Sequence, residues 1–215
     1  MIRVLVADDH TIVRDGLKQL LGAADNLEVA AEASDGHQVL ALVRERDFDV
    51  LLLDMSMPGK SGIELIKQVH AEKPRLRILV LTMHEEHQYA TRAIRAGACG
   101  YLTKDSASRQ LVDAIRKVAA GGAFISAEVA EQLALGAMPG ATALPHEALS
   151  DREFQIFRLI AEGQSISDIA ARLNLSVKTV SSHKANILQK MKLGGTADLI
   201  RYALTHKLVE GSGPA

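Results

Sequence analysis

The chain has 215 residues, 47% of them apolar, which is enough for two ordinary domains with real cores. There is no Trp, aromatics are 3%, and the net charge is −1. The cores must therefore be Leu, Ile, Val and Ala, and bulk charge points to neither nucleic acid nor membrane. Cys99 is the only cysteine, which excludes an intrachain disulfide and fits a reducing compartment.

The amino-terminal run MIRVLVADD meets two aspartates too early for a secretory signal. No apolar run approaches the ~20 residues that span a bilayer. The expectation is a cytoplasmic protein without membrane contact.

Five short apolar runs predict strands at Ile2–Ala7, Leu27–Ala33, Asp49–Leu53, Arg77–Thr82 and Cys99–Thr103. Stretches of helical period separate them, carrying Val13, Leu17, Leu20 and Leu21, then Val39, Leu40 and Val43, then Ile63, Ile66 and Val69, then Ala90, Ala93 and Ile94. A last one carries Leu111, Ile115 and Val118. Alternating strand and helix predict an α/β fold, a doubly wound parallel sheet with helices on both faces. Val50–Leu53 is apolar at every position, as a central parallel strand must be.

Gly121–Gly122 closes this first domain, 1–121. Residues 122–148 read as a linker, with a short helix at Glu128–Leu135 and a Gly, Pro and Ala-rich stretch after it. A second domain, 149–210, has only helical patterning, in four pieces. Ser150 and Glu153 have capping-box spacing, and Ser165 and Asp168 repeat it. Asn174–Leu175 makes a tight turn, and Ser176 caps a third helix to about Met191. Gly194–Gly195 breaks it, and Thr196 caps a fourth through about His206. Helix, short turn, helix is the frame that offers a helix to the major groove of double-stranded DNA.

Open α/β sheets bind ligands at the carboxyl ends of their strands. Those ends carry Asp8 and Asp9, Asp54, Thr82, and Thr103–Lys104. A strand order of 2-1-3-4-5 brings them onto one edge. Three crowded carboxylates repel unless a cation sits among them, and hard oxygens with room for water suit Mg²⁺. Asp54 can then act as a nucleophile toward phosphorus, giving an acyl phosphate. Lys104 can hold a phosphoryl oxygen as a point charge, and the Thr82 hydroxyl can donate to another.

The set VADDH (6–10), LLLDMSMPGKSG (51–62), VLTMH (80–84) and YLTKD (101–105) resembles response-regulator receiver domains over about residues 1–120. The resemblance implies a flavodoxin-like receiver with Asp54 as phosphoacceptor, Asp9 as the direct metal carboxylate, and Asp8 acting through metal-bound water. It further implies the Ser56 carbonyl as a ligand, Thr82 and Tyr101 as a switch pair, and a histidine kinase as phosphodonor. Asp105 stands where many receivers have Pro, so the segment holding Lys104 is expected to differ. By resemblance, Ser56 and His84 tune loss of the phosphoryl group, and Met83 beside Thr82 is expected to restrict water.

In the second domain, residues 176–192 carry Lys178, Lys184, Lys190 and Lys192 and no acid. Val180, Ile187, Leu188 and Met191 recur at core-facing spacing. The opposite face carries Lys178, Ser181, Ser182 and Ala185, small or hydroxylated groups that let a helix enter a groove. Lys184 falls on the flank, its ammonium within reach of phosphate.

The segment LSDREFQIFRLIAEGQSISDIAARLNLSVKTVSSHKANILQKMKLGGTADLI resembles the LuxR-type helix-turn-helix, over about 149–208. Thr179 falls on that pattern and completes the expected DNA-contact set. His183 has two readings, a phosphate contact or a bond to a neighbouring helix. In this class the last helix, with Leu199, Ile200, Ala203 and Leu204, commonly pairs two subunits, so the active form is expected to be a homodimer. Together the two resemblances imply a NarL/FixJ-class, phosphorylation-dependent transcriptional regulator. The alternatives are an aspartate-nucleophile phosphohydrolase, disfavoured by Ser56 where such enzymes carry a second aspartate, and a phosphorylation-independent DNA-binding protein whose receiver only dimerises.

Overall fold

The computed structural model describes residues 1–57, 62–82, 87–136, 144–206 and 208–209. The chain divides into two compact units, Met1–Leu133 and Ala134–Ala215.

The first unit is an α/β sandwich. Its strands are β1 (Ile2–Ala7), β2 (Leu27–Ala33), β3 (Val50–Asp54), β4 (Arg77–Thr82) and β5 (Gly100–Thr103). They form one sheet, ordered β2-β1-β3-β4-β5, in which every neighbouring pair is parallel. Between and after them run α1 (Thr11–Gly22), α2 (Gly36–Glu45), α3 (Gly62–Glu72), α4 (His87–Arg95), α5 (Lys104–Ala119) and α6 (Ala127–Gly136). Every β3 residue is buried, because helices cover both faces of the sheet. On one face Val4, Val6, Val50, Leu52, Leu79 and Leu81 pack with Leu17 and Leu21 of α1 and Leu111, Ile115 and Val118 of α5. The alternate residues Leu5, Leu51, Leu53, Ile78 and Val80 point to the other face and are equally buried. Beyond β5, Phe124 continues the ladder: the Tyr101 N–H donates to its carbonyl, and its own N–H donates to the Cys99 carbonyl.

The second unit is all α. A 3-10 turn, Pro145–Ala148, precedes α7 (Asp151–Ala161), α8 (Ile166–Arg172), α9 (Val177–Met191) and α10 (Thr196–Thr205). Phe154 and Phe157 of α7 stack at 5.9 Å and are buried among Ile169, Val180, Ile187, Leu199 and Ala203.

Three local expectations are corrected. Residues 145–148 are not slack linker, because the turn is ordered and His146 is fully buried. Thr196 does not cap α10; it is the first helical residue, and Gly195 occupies the cap without a side-chain bond. The Asp198 carboxylate, in the first turn, accepts from the Gly194 N–H instead, where the helix dipole favours an acid. The end of α9 is made not by Gly194 but by Lys192, which takes the left-handed conformation at φ 55° and lets the Leu193 N–H reach the Leu188 carbonyl.

The entry to α7 is a full capping box: Ser150 Oγ accepts from the Glu153 N–H, and the Glu153 carboxylate accepts from the Ser150 N–H. Lys190 of α9 donates to the same carboxylate at 2.7 Å, tying α9 to α7. Burial alone would raise the Glu153 pKa, but these bonds outweigh it and hold it below the ordinary 4.5. A depressed carboxylate stabilises the fold above its unfolded pKa, and that contribution vanishes as pH falls through the folded value. Wild type should therefore exceed Glu153→Gln by about 1 kcal/mol at neutral pH, a modest figure because Lys190 is partly solvated. The gap should close below pH 4.5, as read by far-UV circular dichroism during urea unfolding at each pH. A gap independent of pH would mean that the charge plays no part.

Candidate functional site

Because all five strands run the same way, their carboxyl ends meet at one edge. Ala7 of β1 pairs with Leu53 of β3, Asp54 with Leu81 of β4, and Thr82 with Thr103 of β5. That register sets Asp8, Asp54, Thr82 and Lys104 side by side. No loop separates β5 from α5: Lys104 is the first residue of the helix.

The Lys104 ammonium lies 2.7 Å from Asp8 Oδ2 and 3.1 Å from Asp54 Oδ2. Both acids are nearly inaccessible, at 1% and 2% exposure. Burial raises the Asp54 pKa and outweighs the opposing pull of Lys104, with the charge of Asp8 adding to the rise. Burial by itself would lower the Lys104 pKa, but its bonds to Asp8 and Asp54 overcome that and raise it. The Ser56 N–H donates to Asp54 Oδ1 at 3.2 Å. Thr82 is buried and Tyr101 is half-buried. Met83 and His84 lie outside the described residues.

Two residues without an assigned role in the sequence reading also belong to this edge. His10 stands at the start of α1 with Nδ1 2.7 Å from Asp9 Oδ1 and 3.3 Å from Asp8 Oδ1. Arg14 donates to the Asp8 carbonyl at 2.7 Å and reaches Glu32 of β2, bracing the loop that carries both aspartates. Oxygens of Asp8, Asp9 and Asp54 and a His10 nitrogen all lie within 4.8 Å of one another. A donor set dominated by hard oxygens, with Lys104 the one ammonium beside three carboxylates among the described residues, fits a divalent cation.

In the second unit, the α9 faces divide as the periodicity predicts. Val180, Ile187 and Met191 are buried, and Leu188, expected with them, is only half-buried; Lys178, Ser181, Ser182 and Ala185 are exposed and Lys184 is half-buried. Thr179 is half-buried, with Oγ1 2.7 Å from the capping Ser176 Oγ. Ser182 Oγ donates back to the Lys178 carbonyl and keeps its lone pairs outward. His183 is half-buried, and its Nδ1 is buried without a hydrogen-bond partner among the described residues. On α10, Leu199 and Ala203 are buried, whereas Leu204 is 44% exposed.

Residues 4–116 match the model of the response regulator receiver domain, and residues 147–203 match that of the bacterial regulatory proteins of the luxR family. The chain is a response regulator of the NarL/FixJ class. It is 38% identical over 209 residues to the response regulator UvrY of Escherichia coli K12, covering 97% of this chain and 96% of that protein. It is 38% identical over 213 residues to the response regulator GacA of Pseudomonas aeruginosa, covering 99% of this chain and 100% of that one. Among solved structures, RcsB of Salmonella typhimurium shares 30% identity at a TM-score of 0.70, covering 94% of this chain and 96% of RcsB. An RcsB–DNA complex matches at 30% identity and a TM-score of 0.58, with the same coverage. This response regulator thus joins a receiver domain to a LuxR-type DNA-binding domain, and its family is one of transcription regulators.

Proposed function

We propose that this response regulator accepts a phosphoryl group on Asp54 from a histidine kinase, and that the modification controls its binding to double-stranded DNA. The carrying observation is the pair of buried acids, Asp8 and Asp54, brought from separate strand ends and bridged by Lys104. Asp54 Oδ attacks phosphorus as the bond to the donor histidine nitrogen breaks, leaving an acyl phosphate. Lys104 then turns from carboxylate to phosphoryl oxygen, and Thr82 supplies a hydroxyl to another, with Tyr101 following as the switch partner. Asp8, Asp9, Asp54 and the Ser56 carbonyl would hold magnesium, which would supply the charge neutralisation this transfer needs.

Lys178, Thr179, Ser181, Ser182, Lys184 and Ala185 form the DNA-reading set, the lysines toward phosphates and the small residues toward base edges. RcsB provides the supporting parallel, since two of its dimers are described bound to two parallel DNAs. Homodimerisation of the active form draws support from the exposed Leu204 on α10. Residues 1–121 serve as receiver, 122–144 as connection and 145–210 as DNA reader, acting in the cytoplasm; among the described residues no helix is long and apolar enough to cross a membrane.

Intact-mass analysis with Mg²⁺ and acetyl phosphate should find one labile phosphoryl adduct, mapped to Asp54. DNA selected with that phosphorylated protein should bind it more tightly than it binds Asp54→Asn. An adduct elsewhere, or none, overturns the phosphoacceptor. Equal DNA affinity in both proteins leaves the receiver as a fixed dimerisation module.

A further inference from the structure

Val177 is the first residue of α9, at the end of the helix where a helix-turn-helix brings side chains to base edges. It is 51% exposed, and among the described residues of α9 it is the one large apolar side chain so placed. Its backbone position is firm, because Ser176 caps the helix with Oγ accepting from the Thr179 N–H at 3.0 Å. Val177, Ser181 and Ala185 follow at four-residue spacing and are all exposed, so they form one row on the helix surface. Side chains lean toward the amino end of a helix, so Val177 projects past the start of α9. As a structural residue it is poorly chosen. A β-branched side chain gives up rotamer freedom in a helix, and an exposed one gains little from burial.

We infer that Val177 is a specificity-determining residue that reads a thymine in the bound DNA through the 5-methyl group of that base. This rests on reading α9 as the helix that enters the major groove. The base edges there present hydrogen-bond donors and acceptors, and the thymine methyl is the apolar group among them. Valine can bond to none of the donors or acceptors. Set against an amino group or a carbonyl, it would strip water from that group and return no hydrogen bond, which is costly. Set against the methyl, it buries apolar surface on both sides. Its neighbours in the row cannot supply the same choice. The Ser181 hydroxyl serves as donor or acceptor and fits several bases, and the Ala185 methyl is shorter and lies two turns further along. Val177 therefore both selects thymine and disfavours the polar edges of the other bases.

The test uses the full-length protein and a duplex it selects from a random pool. Selection is run with and without acetyl phosphate, so the result does not depend on phosphorylation control. In the tightest-bound duplex each thymine is replaced in turn by deoxyuridine, which removes the methyl group and nothing else. Fluorescence anisotropy at fixed salt then reads the affinity of wild type, Val177→Ala and Val177→Ser. Ala is the better helix former and Ser costs little more than Val, so α9 should stay folded in both, as far-UV circular dichroism checks. At one thymine of each half-site wild type should lose about four-fold in affinity on loss of the methyl, the worth of one buried methyl-sized group. In both variants the ratio of thymine to uracil affinity at that position should fall to about one. A selected site without thymine, a wild type indifferent to every methyl, or variants that keep the wild-type ratio would each overturn the inference while leaving α9 as the DNA reader. Enrichment of no duplex at all overturns both.

Discussion

Lys104→Met should cost the metal-free receiver about 3–5 kcal/mol, because it strips the counter-charge from carboxylates that water cannot reach. Asp8 and Asp54 are 1% and 2% exposed, and Lys104 Nζ lies within 3.1 Å of each. Met keeps much of the side-chain volume, so the loss is electrostatic. Two features identify the cause. Burial already raises the Asp54 pKa, and removing Lys104 raises it further. A raised carboxylate stabilises the fold below its unfolded pKa and costs stability once pH passes the folded value. The deficit of Lys104→Met should therefore shrink on acidification, as Asp54 takes a proton. A divalent cation can also replace the missing charge, so Mg²⁺ should recover more stability in the variant than in wild type. Urea unfolding in EDTA and in Mg²⁺, at neutral and acidic pH, reads all three effects. A midpoint in EDTA equal to wild type would mean that the acids are solvated and Lys104 is not their partner.

The same geometry explains why this edge was legible in the sequence. A parallel sheet aligns strand ends, so acids placed at the ends of distant runs must meet, and the runs themselves are buried on both faces and read as continuous apolar stretches. Val50–Leu53 illustrates both points, since it is wholly buried and delivers Asp54 to the edge. The faces of α9 were equally legible, because helical period separates Val180 and Ile187 from Ser181 and Ala185. Features that depend on a backbone turn or on one distant partner were not. Lys192 takes the left-handed role that the nearby glycines advertised, and Asp198 replaces the hydroxyl cap expected of Thr196. Arg14 and His10 sit on a helix start whose periodicity concerns only its buried face. Their bonds to the Asp8 carbonyl and to the Asp9 carboxylate follow from the loop path.

His146 is the largest omission, and its replacement by Ala should destabilise the second unit by about 2–5 kcal/mol, the range for deleting a large buried side chain. No periodicity marks it, for it stands in a four-residue turn between Pro145 and Glu147. Yet it has no exposed surface, and its Nδ1 meets the Tyr202 hydroxyl at 2.8 Å, across 56 residues of chain. The rings of Phe154, Tyr202 and His206 surround it at 6.2, 5.8 and 6.1 Å. The turn is thereby fastened to α7 and α10 at once. A domain of this size has only some 5–15 kcal/mol of stability in total, so the loss should be plain in far-UV circular dichroism during thermal unfolding. His146→Phe separates the two contributions. It refills the space but leaves the Tyr202 hydroxyl to water, and should cost only about 1 kcal/mol. If Ala and Phe proved equally damaging, the hydrogen bond would outweigh the packing; if neither moved the midpoint, the turn would be a passenger on the domain rather than part of its core.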